Sequence, residues 1–320
     1  MILWVIRRIG ADWEGRSDLD YTGLMNEAKL EESPDDLLDG KRRFLFEDLD
    51  ARGELVHLRG VLDEVSAIHA YPEPVHRLLG EFMAAAVLLA SNLKFEGSLT
   101  VQARSDRQIP LIMAECTNNM SVRAIARGAQ EAMGTSFSEL LGDGQLVLTI
   151  TPTNRQRYQG IVPLQSASLA QCIDSYFAQS EQLGTRIFLC CSGRRAAGLL
   201  LQQLPVDLDS HFDTRKQNFE RLALLSDTLR PEELLGLKDA ELLTRLFSED
   251  SLRLFDPEPV RFKCSCSAER TLQALASLGA EEIRDILDEQ GMVTMDCEFC
   301  NQRYTFNREQ LRHLIEKPVH

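Results

Sequence analysis

The sequence predicts an α+β protein: helices packed on a largely antiparallel sheet in an N-terminal domain, then a helical linker, then a small C-terminal domain. Three observations carry this expectation. The middle of the chain holds short segments of alternating apolar and polar residues bounded by turn residues, which is the pattern of strands. One long segment, centred on residues 82–90, is apolar nearly all round and reads as a buried helix. Near the C-terminus, four of the eight cysteines fall into two close pairs, Cys264-Ser265-Cys266 and Cys297-Glu298-Phe299-Cys300.

With 320 residues, 44% hydrophobic and 26% charged, the chain is long enough for a sizeable core and two or three domains. Its formal charge of -14 argues against a nucleic-acid partner, which needs a basic footprint. The chain has no apolar run of the roughly 18 residues needed for a helix to span a membrane.

In order along the chain, residues 1–42 fit nothing that follows. Met1-Ile2-Leu3-Trp4-Val5-Ile6 is apolar but too short for a span, and Arg7-Arg8 follows it, the wrong order for a signal peptide. The segment is expected to be a disordered extension or an over-extended start, with Met25 as a candidate initiator and a short anchoring strand as the alternative. From Gly53 the pattern turns helical, with Leu55, Leu58, Leu62, Val65 and Ile68 at steps of three and four. Tyr71-Pro72-Glu73-Pro74 opens a second helix, proline suiting a first turn, and this one runs to about Leu93. Its all-round apolar centre predicts a core position.

Strands are expected over 98–103, 109–115, 121–126, 145–151 and 158–162. Gly142-Asp143-Gly144 resembles half of a phosphate-binding fingerprint, but strand residues and no helix follow it, so it reads as a turn. Ser168 caps a helix with Leu169, Cys172, Ile173, Tyr176 and Phe177 on one face. Two further strands, 185–191 and 196–204, complete a domain over residues 43–210.

Residues 211–263 change character. Phe212, Phe219, Leu222, Leu225 and Leu229 lie on one helical stripe, and Leu234, Leu235, Leu242, Leu243, Leu246 and Phe247 extend the apolar supply between charged residues. Such a stretch makes no core of its own and is expected to dock on its neighbours as a conditional linker. Over residues 264–320, Ser267 caps a helix and Gly291 ends a second one. The chain then doubles back through Cys297, Cys300, Tyr304 and Phe306 as a ribbon-like hairpin, and Asn307 opens a last helix.

One Cys-X-X-Cys is weak evidence for a metal. Two close pairs with a small module's worth of chain between them are how a tetrahedral four-thiolate zinc site is usually written. Cys264, Cys266, Cys297 and Cys300 are therefore the candidate ligands of one Zn2+ per chain. Cys116, Cys172, Cys190 and Cys191 sit inside apolar segments like core residues and unlike a secreted disulfide framework, which points to a reducing compartment. Cys190 and Cys191 should point to opposite faces of a strand, leaving one of them exposed.

Four sulfurs at about 2.3 Å from zinc stand roughly 3.8 Å apart, whereas a disulfide needs about 2.05 Å, so metal and disulfide cannot share them. A module of under about 60 residues depends on its metal for stability. The site can therefore act as a switch. Lys263, Arg270 and Arg303 lie near the thiols in sequence and would lower their pKa, unless they are ordinary surface cations.

An enzyme would need a nucleophile, an acid or base and a pocket. The six histidines are scattered, and no Gly-X-Ser-X-Gly, P-loop or His-Glu-X-X-His stretch occurs. A thiol-disulfide oxidoreductase using Cys297 and Cys300 is the strongest enzymatic alternative, and a constitutive zinc-ribbon partner-binding module is the non-enzymatic one.

The two cysteine pairs, with Phe262-Lys263 before them and Tyr304-Thr305-Phe306 after them, resemble those of the 33 kDa chaperonin family of redox-regulated heat-shock holdases. Arg43-Phe44-Leu45-Phe46-Glu47, Arg52-Gly53-Glu54, Leu93-Lys94-Phe95-Glu96-Gly97, Thr149-Ile150-Thr151-Pro152-Thr153, Arg157-Tyr158-Gln159-Gly160 and Ser180-Glu181-Gln182-Leu183 carry the resemblance upstream. It covers about residue 43 to the end. It implies a cytoplasmic, ATP-independent chaperone that is inactive when reduced and zinc-bound. After oxidation has joined Cys264 to Cys266 and Cys297 to Cys300 and released zinc, such a chaperone binds unfolded clients and forms a homodimer. It also implies that residues 43–210 bind clients and dimerise, that 211–263 form a metastable linker, and that 264–320 form the redox switch. Between the two pairs, Cys297 and Cys300 are expected to oxidise first, because a two-residue spacer strains the ring less than one.

Overall fold

The computed structural model describes residues 39–94, 96–180, 184–204 and 212–316. These fall into two compact units that divide between Phe262 and Lys263. The protein is α+β, as the sequence predicts, but the first unit holds two six-stranded sheets where one was expected.

In the first sheet the order is β10-β1-β2-β9-β8, comprising β1 (Gly40–Phe46), β2 (Ala51–Leu58), β8 (Thr185–Ser192), β9 (Arg195–Gln203) and β10 (Leu252–Leu254), with β11 (Glu258–Pro259) also on β1. The second runs β12-β5-β4-β3-β6-β7, from β3 (Gly97–Arg104), β4 (Leu111–Thr117), β5 (Ser121–Arg127), β6 (Gln145–Pro152), β7 (Tyr158–Pro163) and β12 (Arg261–Phe262). Pairing is antiparallel throughout except between β12 and β5.

The helices of this unit are α1 (Gly60–Ile68), α2 (Glu73–Ala90), α3 (Phe137–Leu140), α4 (Leu169–Ser180), α5 (Phe212–Ser226), α6 (Pro231–Gly236) and α7 (Asp239–Leu246). Helix α2 lies between the sheets, touching β2, β8 and β9 on one and β3, β4 and β5 on the other. Every residue from Phe82 to Ala90 is buried, which explains the all-round apolar pattern. Close approach is bought by small residues: a Cβ on Gly80 would stand 2.5 Å from the Cys191 sulfur, and one on Gly198 would stand 2.7 Å from Leu88.

A second apolar cluster fills the far side of the first sheet. Phe44, Phe46, Leu55, Leu199 and Leu201 meet Leu222, Leu234, Leu242, Leu243, Leu246 and Phe247 from α5, α6 and α7. The Phe46 and Phe247 rings pack edge to face at 5.0 Å, and ion pairs Arg221–Asp250, Arg186–Asp227 and Arg215–Asp50 tie down α5 and its C-terminal end.

Several expectations are corrected. Gly40, Lys41 and Arg42 belong to β1, paired with His57, Val56 and Leu55, so the extension cannot reach residue 42; residues 1–38, including Met25, lie outside the described residues. Residues 51–58 form a strand and only 60–68 a helix. Strand β2 is covered on both faces, so its apolar residues run without alternation and imitate helical spacing. Within the stretch 211–263, the described residues form three helices between Phe212 and Leu246 and then run extended through β10, β11 and β12; Pro257 and Pro259 stop a helix there while sheet edges offer backbone partners. Cys190 and Cys191 are both buried, because the strand that carries them has the α2 core on one face and the α5–α7 cluster on the other.

The second unit contains α8 (Ala268–Leu275), α9 (Ala280–Gln290), the hairpin of β13 (Met292–Asp296) and β14 (Arg303–Asn307), and α10 (Arg312–Ile315). Ser267 caps α8 by accepting from the Arg270 amide, and Gly291 ends α9 with φ 75°, both as the sequence predicts. The core is small: Leu275, Ile283, Leu287, Val293, Phe306, Leu311 and Ile315. Among the described residues of the chain, no helix is long and apolar enough to cross a membrane.

Candidate metal centre

The hairpin turn between β13 and β14 is shaped around one pair of cysteines. The Cys297 carbonyl accepts from the amides of Cys300 at 3.3 Å and Asn301 at 2.7 Å, while the Cys297 amide donates to Gln302 at 2.9 Å. Asn301 sits at φ 54°, a left-handed conformation that asparagine tolerates better than most residues. This tight knuckle turns both sulfurs to one side. The other pair precedes α8, where Arg270 donates to the carbonyl and hydroxyl of Ser265, both at 2.7 Å, and fixes the short Cys264-Ser265-Cys266 bend.

The structure brings all four predicted residues together. The sulfurs of Cys264, Cys266, Cys297 and Cys300 lie within 4.8 Å of one another, with contacts of 3.6 Å between Cys264 and Cys297 and 3.4 Å between Cys266 and Cys300. These contacts are near the roughly 3.8 Å edge of a tetrahedron of thiolates around a metal of zinc's size. All four are half-buried thiols joined by no disulfide, so the donor set fits a soft or borderline cation. Cys116, Cys172, Cys190 and Cys191 are buried in the first unit, Cys116 and Cys172 in the core positions expected of them.

Tyr304 is the functional neighbour that spacing alone did not single out as a site residue. Its hydroxyl donates to the Cys266 sulfur at 3.1 Å. The Cys266 thiol sits below its ordinary pKa: burial pushes it up, but hydrogen bonds from Tyr304 and the other sulfurs outweigh that. The same contact raises the Tyr304 hydroxyl to about 12. Strand alternation on β14 carries the signal, since Tyr304 and Phe306 share a face.

Of the three cations near the thiols in sequence, Arg270 and Arg303 follow the surface alternative. Arg303 pairs with the Asp296 carboxylate across the hairpin at 2.8 and 3.0 Å and Arg270 binds the Ser265 carbonyl and hydroxyl, so each is committed to a partner other than a thiol. Burial raises the Cys297 and Cys300 thiols, with no arginine among the causes.

A two-sheet α+β unit followed by a small module organised on four clustered cysteines defines a protein with a candidate metal centre in its C-terminal part. The chain belongs to the Hsp33 family, whose model, described as Hsp33 protein, matches residues 39–307. It is 53% identical over 280 residues to the 33 kDa chaperonin of Azotobacter vinelandii, covering 87% of this chain and 94% of that one. Identity to the 33 kDa chaperonin of Pseudomonas paraeruginosa is 50% over 280 residues, covering 87% and 94%. The crystal structure of the Thermotoga maritima 33 kDa chaperonin, a heat shock protein 33 homolog, matches with a TM-score of 0.72 over 87% of this chain and 98% of that chain. At 22% identity this likeness is one of fold. The family is one of molecular chaperones.

Proposed function

We propose that this chain is a redox-regulated, ATP-independent holdase of the cytoplasm, inactive when reduced and zinc-bound, and active on unfolded clients after oxidation. The observation that supports it most is the gathering of four thiols at distances that suit a metal and do not suit a disulfide, in a module with few buried apolar side chains. Cys264, Cys266, Cys297 and Cys300 would hold one Zn2+, which supplies a fold-stabilising cross-link and keeps the sulfurs as thiolates.

On oxidation by a peroxide, each pair of thiolates gives up two electrons and gains one S–S bond, and the peroxide leaves as two hydroxides. Cys297 with Cys300, and Cys264 with Cys266, are the proposed pairs, the first forming earlier. Since the short sulfur contacts run across the pairs, peptide mapping after mild oxidant decides the point: cross-pair linkage, or Cys264–Cys266 linked first, overturns this order.

Structural zinc in small modules is worth on the order of 10 to 16 kcal/mol, comparable with a whole domain's stability of about 5 to 15 kcal/mol. Loss of zinc therefore unfolds residues 264–320. Residues 211–263 then release, baring Phe44, Phe46, Leu55, Leu199 and Leu201 on the sheet of residues 43–210 together with their own leucines. Surface of that kind binds the apolar surface of unfolding chains and supports homodimer formation.

The test is suppression of light scattering from a thermally unfolding client, with the protein reduced and zinc-loaded in one arm and peroxide-treated in the other, while a chromogenic chelator counts zinc. One zinc released per chain, with suppression only after oxidation, is the expected result. Binding that survives in reductant and disappears on oxidation reverses the sign and makes the chain a constitutive zinc-ribbon binding module.

A further inference from the structure

We propose that the edge of β7, which pairs with no further strand among the described residues, is a docking strand for an extended segment of another polypeptide, open in the reduced protein and separate from the client surface that oxidation is proposed to bare. Strand β7 ends its sheet. The Leu164 amide donates to the Gly144 carbonyl at 2.9 Å, and the register pairs Val162 with Leu146 and Gly160 with Leu148. Antiparallel ladders alternate between bonded and non-bonded pairs. The backbone groups of Gly160 and Val162 therefore face β6, and those of Gln159 and Ile161 face away. The neighbouring ladder agrees in phase: the Thr153 amide donates to the Glu96 carbonyl, which turns the Val147 and Thr149 backbones toward β3.

The side chains prepare the same edge. Through the registers of four strand pairs, Ile161, Val147, Gln102, Met113 and Ile125 form one straight row across the sheet. This is the face turned away from the core: among the described residues, its four apolar members join none of the apolar clusters. Ile125 on β5, at the other end of the row, is 3% exposed, whereas Ile161 on β7 is 62% exposed, so the row is open on the β7 side. The next row is polar and already paired, Gln159 to Thr149 and Arg123 to Glu115.

Proteins usually guard such an edge with a charge, a proline or a bulge. Pro163 ends β7 and limits the open stretch to the residues before it. Strand β7 has no charged side chain, and between Asp143 and Asp174 the only charges are Arg155 and Arg157, both exposed just before the strand, in a chain of net charge -14. The fitting partner is an extended segment with apolar residues at alternate positions and acidic residues toward the arginine end. A second folded copy fits less well, because an edge offering two residues' backbone groups falls far short of the roughly 800 Å² per partner that a stable dimer buries.

The experiment is fluorescence anisotropy of labelled peptides of about ten residues, alternating valine and threonine with glutamates at one end, in both sequence directions. The protein is the full chain, reduced and zinc-loaded, and amide exchange is followed alongside. The expected result is saturable binding, weakened at least about tenfold in Ile161→Lys and weakened again when lysines replace the glutamates. In the unsubstituted protein, which carries no risk of misfolding, Gln159 and Ile161 amides gain protection while Gly160 and Val162 stay as they were.

Binding unaffected by Ile161→Lys, or no change at Gln159 and Ile161, overturns the proposal. So does protection of those two amides that rises with protein concentration in the absence of peptide, which makes a second copy the occupant. Peptide binding confined to the oxidised protein also overturns it and leaves the holdase reading standing. Failure of the oxidised protein to suppress client aggregation counts against that reading and leaves the reduced-state readout unchanged.

Discussion

Residues 40–262 close a helix between two sheets and bury its central turns on all sides, whereas residues 263–316 gather a few apolar side chains around a hairpin and short helices. Cysteine marks the contrast. In the first unit Cys116, Cys172, Cys190 and Cys191 are buried, and burial lifts all four thiols, Cys190 and Cys191 to about 12, which leaves them inert. In the second unit four half-buried thiols face one another. The same side chain serves as filling where apolar area is plentiful and is gathered into a four-thiol cluster where it is scarce.

The sharpest way to break this comparison is to remove the metal. Chelation of the proposed zinc at neutral pH is expected to unfold residues 263–316, a loss on the order of 10 kcal/mol or more, and to release α5–α7, while α2 and the strands around it stay folded. Amide exchange should show β13 and β14 losing protection and α2 keeping it. A module that keeps its protection after chelation would show that its apolar core suffices.

The converse cut is in α2. Phe82→Ala should cost about 3 to 5 kcal/mol, read as a lower melting temperature of the first unit with the zinc content of the second unchanged. Loss of zinc in this variant would mean that the two units do not stand on separate supports.

Next in size is a pH effect confined to the first unit. Glu81, on α2, has its carboxyl raised from 4.5 to about 7 by burial, against the opposing pull of Arg77. Between those two values only the folded chain holds the proton. Stability therefore falls as pH rises from 4.5 to about 7 and levels off above it. Glu81→Gln should remove this component, a gain on the order of 2 to 3 kcal/mol at pH 8 relative to the parent. Parallel denaturation curves for parent and variant across that window would count against a buried carboxyl.

The smallest effect belongs to the second unit. Tyr304→Phe deletes the hydroxyl that donates to Cys266 and should weaken metal binding by about tenfold, as measured by competition with a chelator. The melting of the first unit should not move.

Particular residues show how far the sequence could be read. The caps at Ser267 and Gly291 and the buried centre of α2 were local signals, and they hold because each depends on neighbours a few residues away. Residues 51–58 misled because a strand covered on both faces loses its alternation, and coverage is a property of distant segments. The extended stretch 252–262 was missed for a similar reason: its partners are β1 and β5, more than a hundred residues upstream.

By itself, the sequence determined the chemistry of the candidate site. Two close pairs of thiols on a small module mark a candidate metal site through their spacing alone. It also determined the α+β class, since hydrophobic period follows from local geometry. Tertiary structure alone decided that α2 lies between two sheets, that both faces of β8 are covered, that the Tyr304 hydroxyl reaches a cysteine sulfur, and that β7 ends its sheet with Ile161 in the open. Each of these depends on which strands become neighbours, and strand pairing joins residues far apart in the chain, where no local spacing records it.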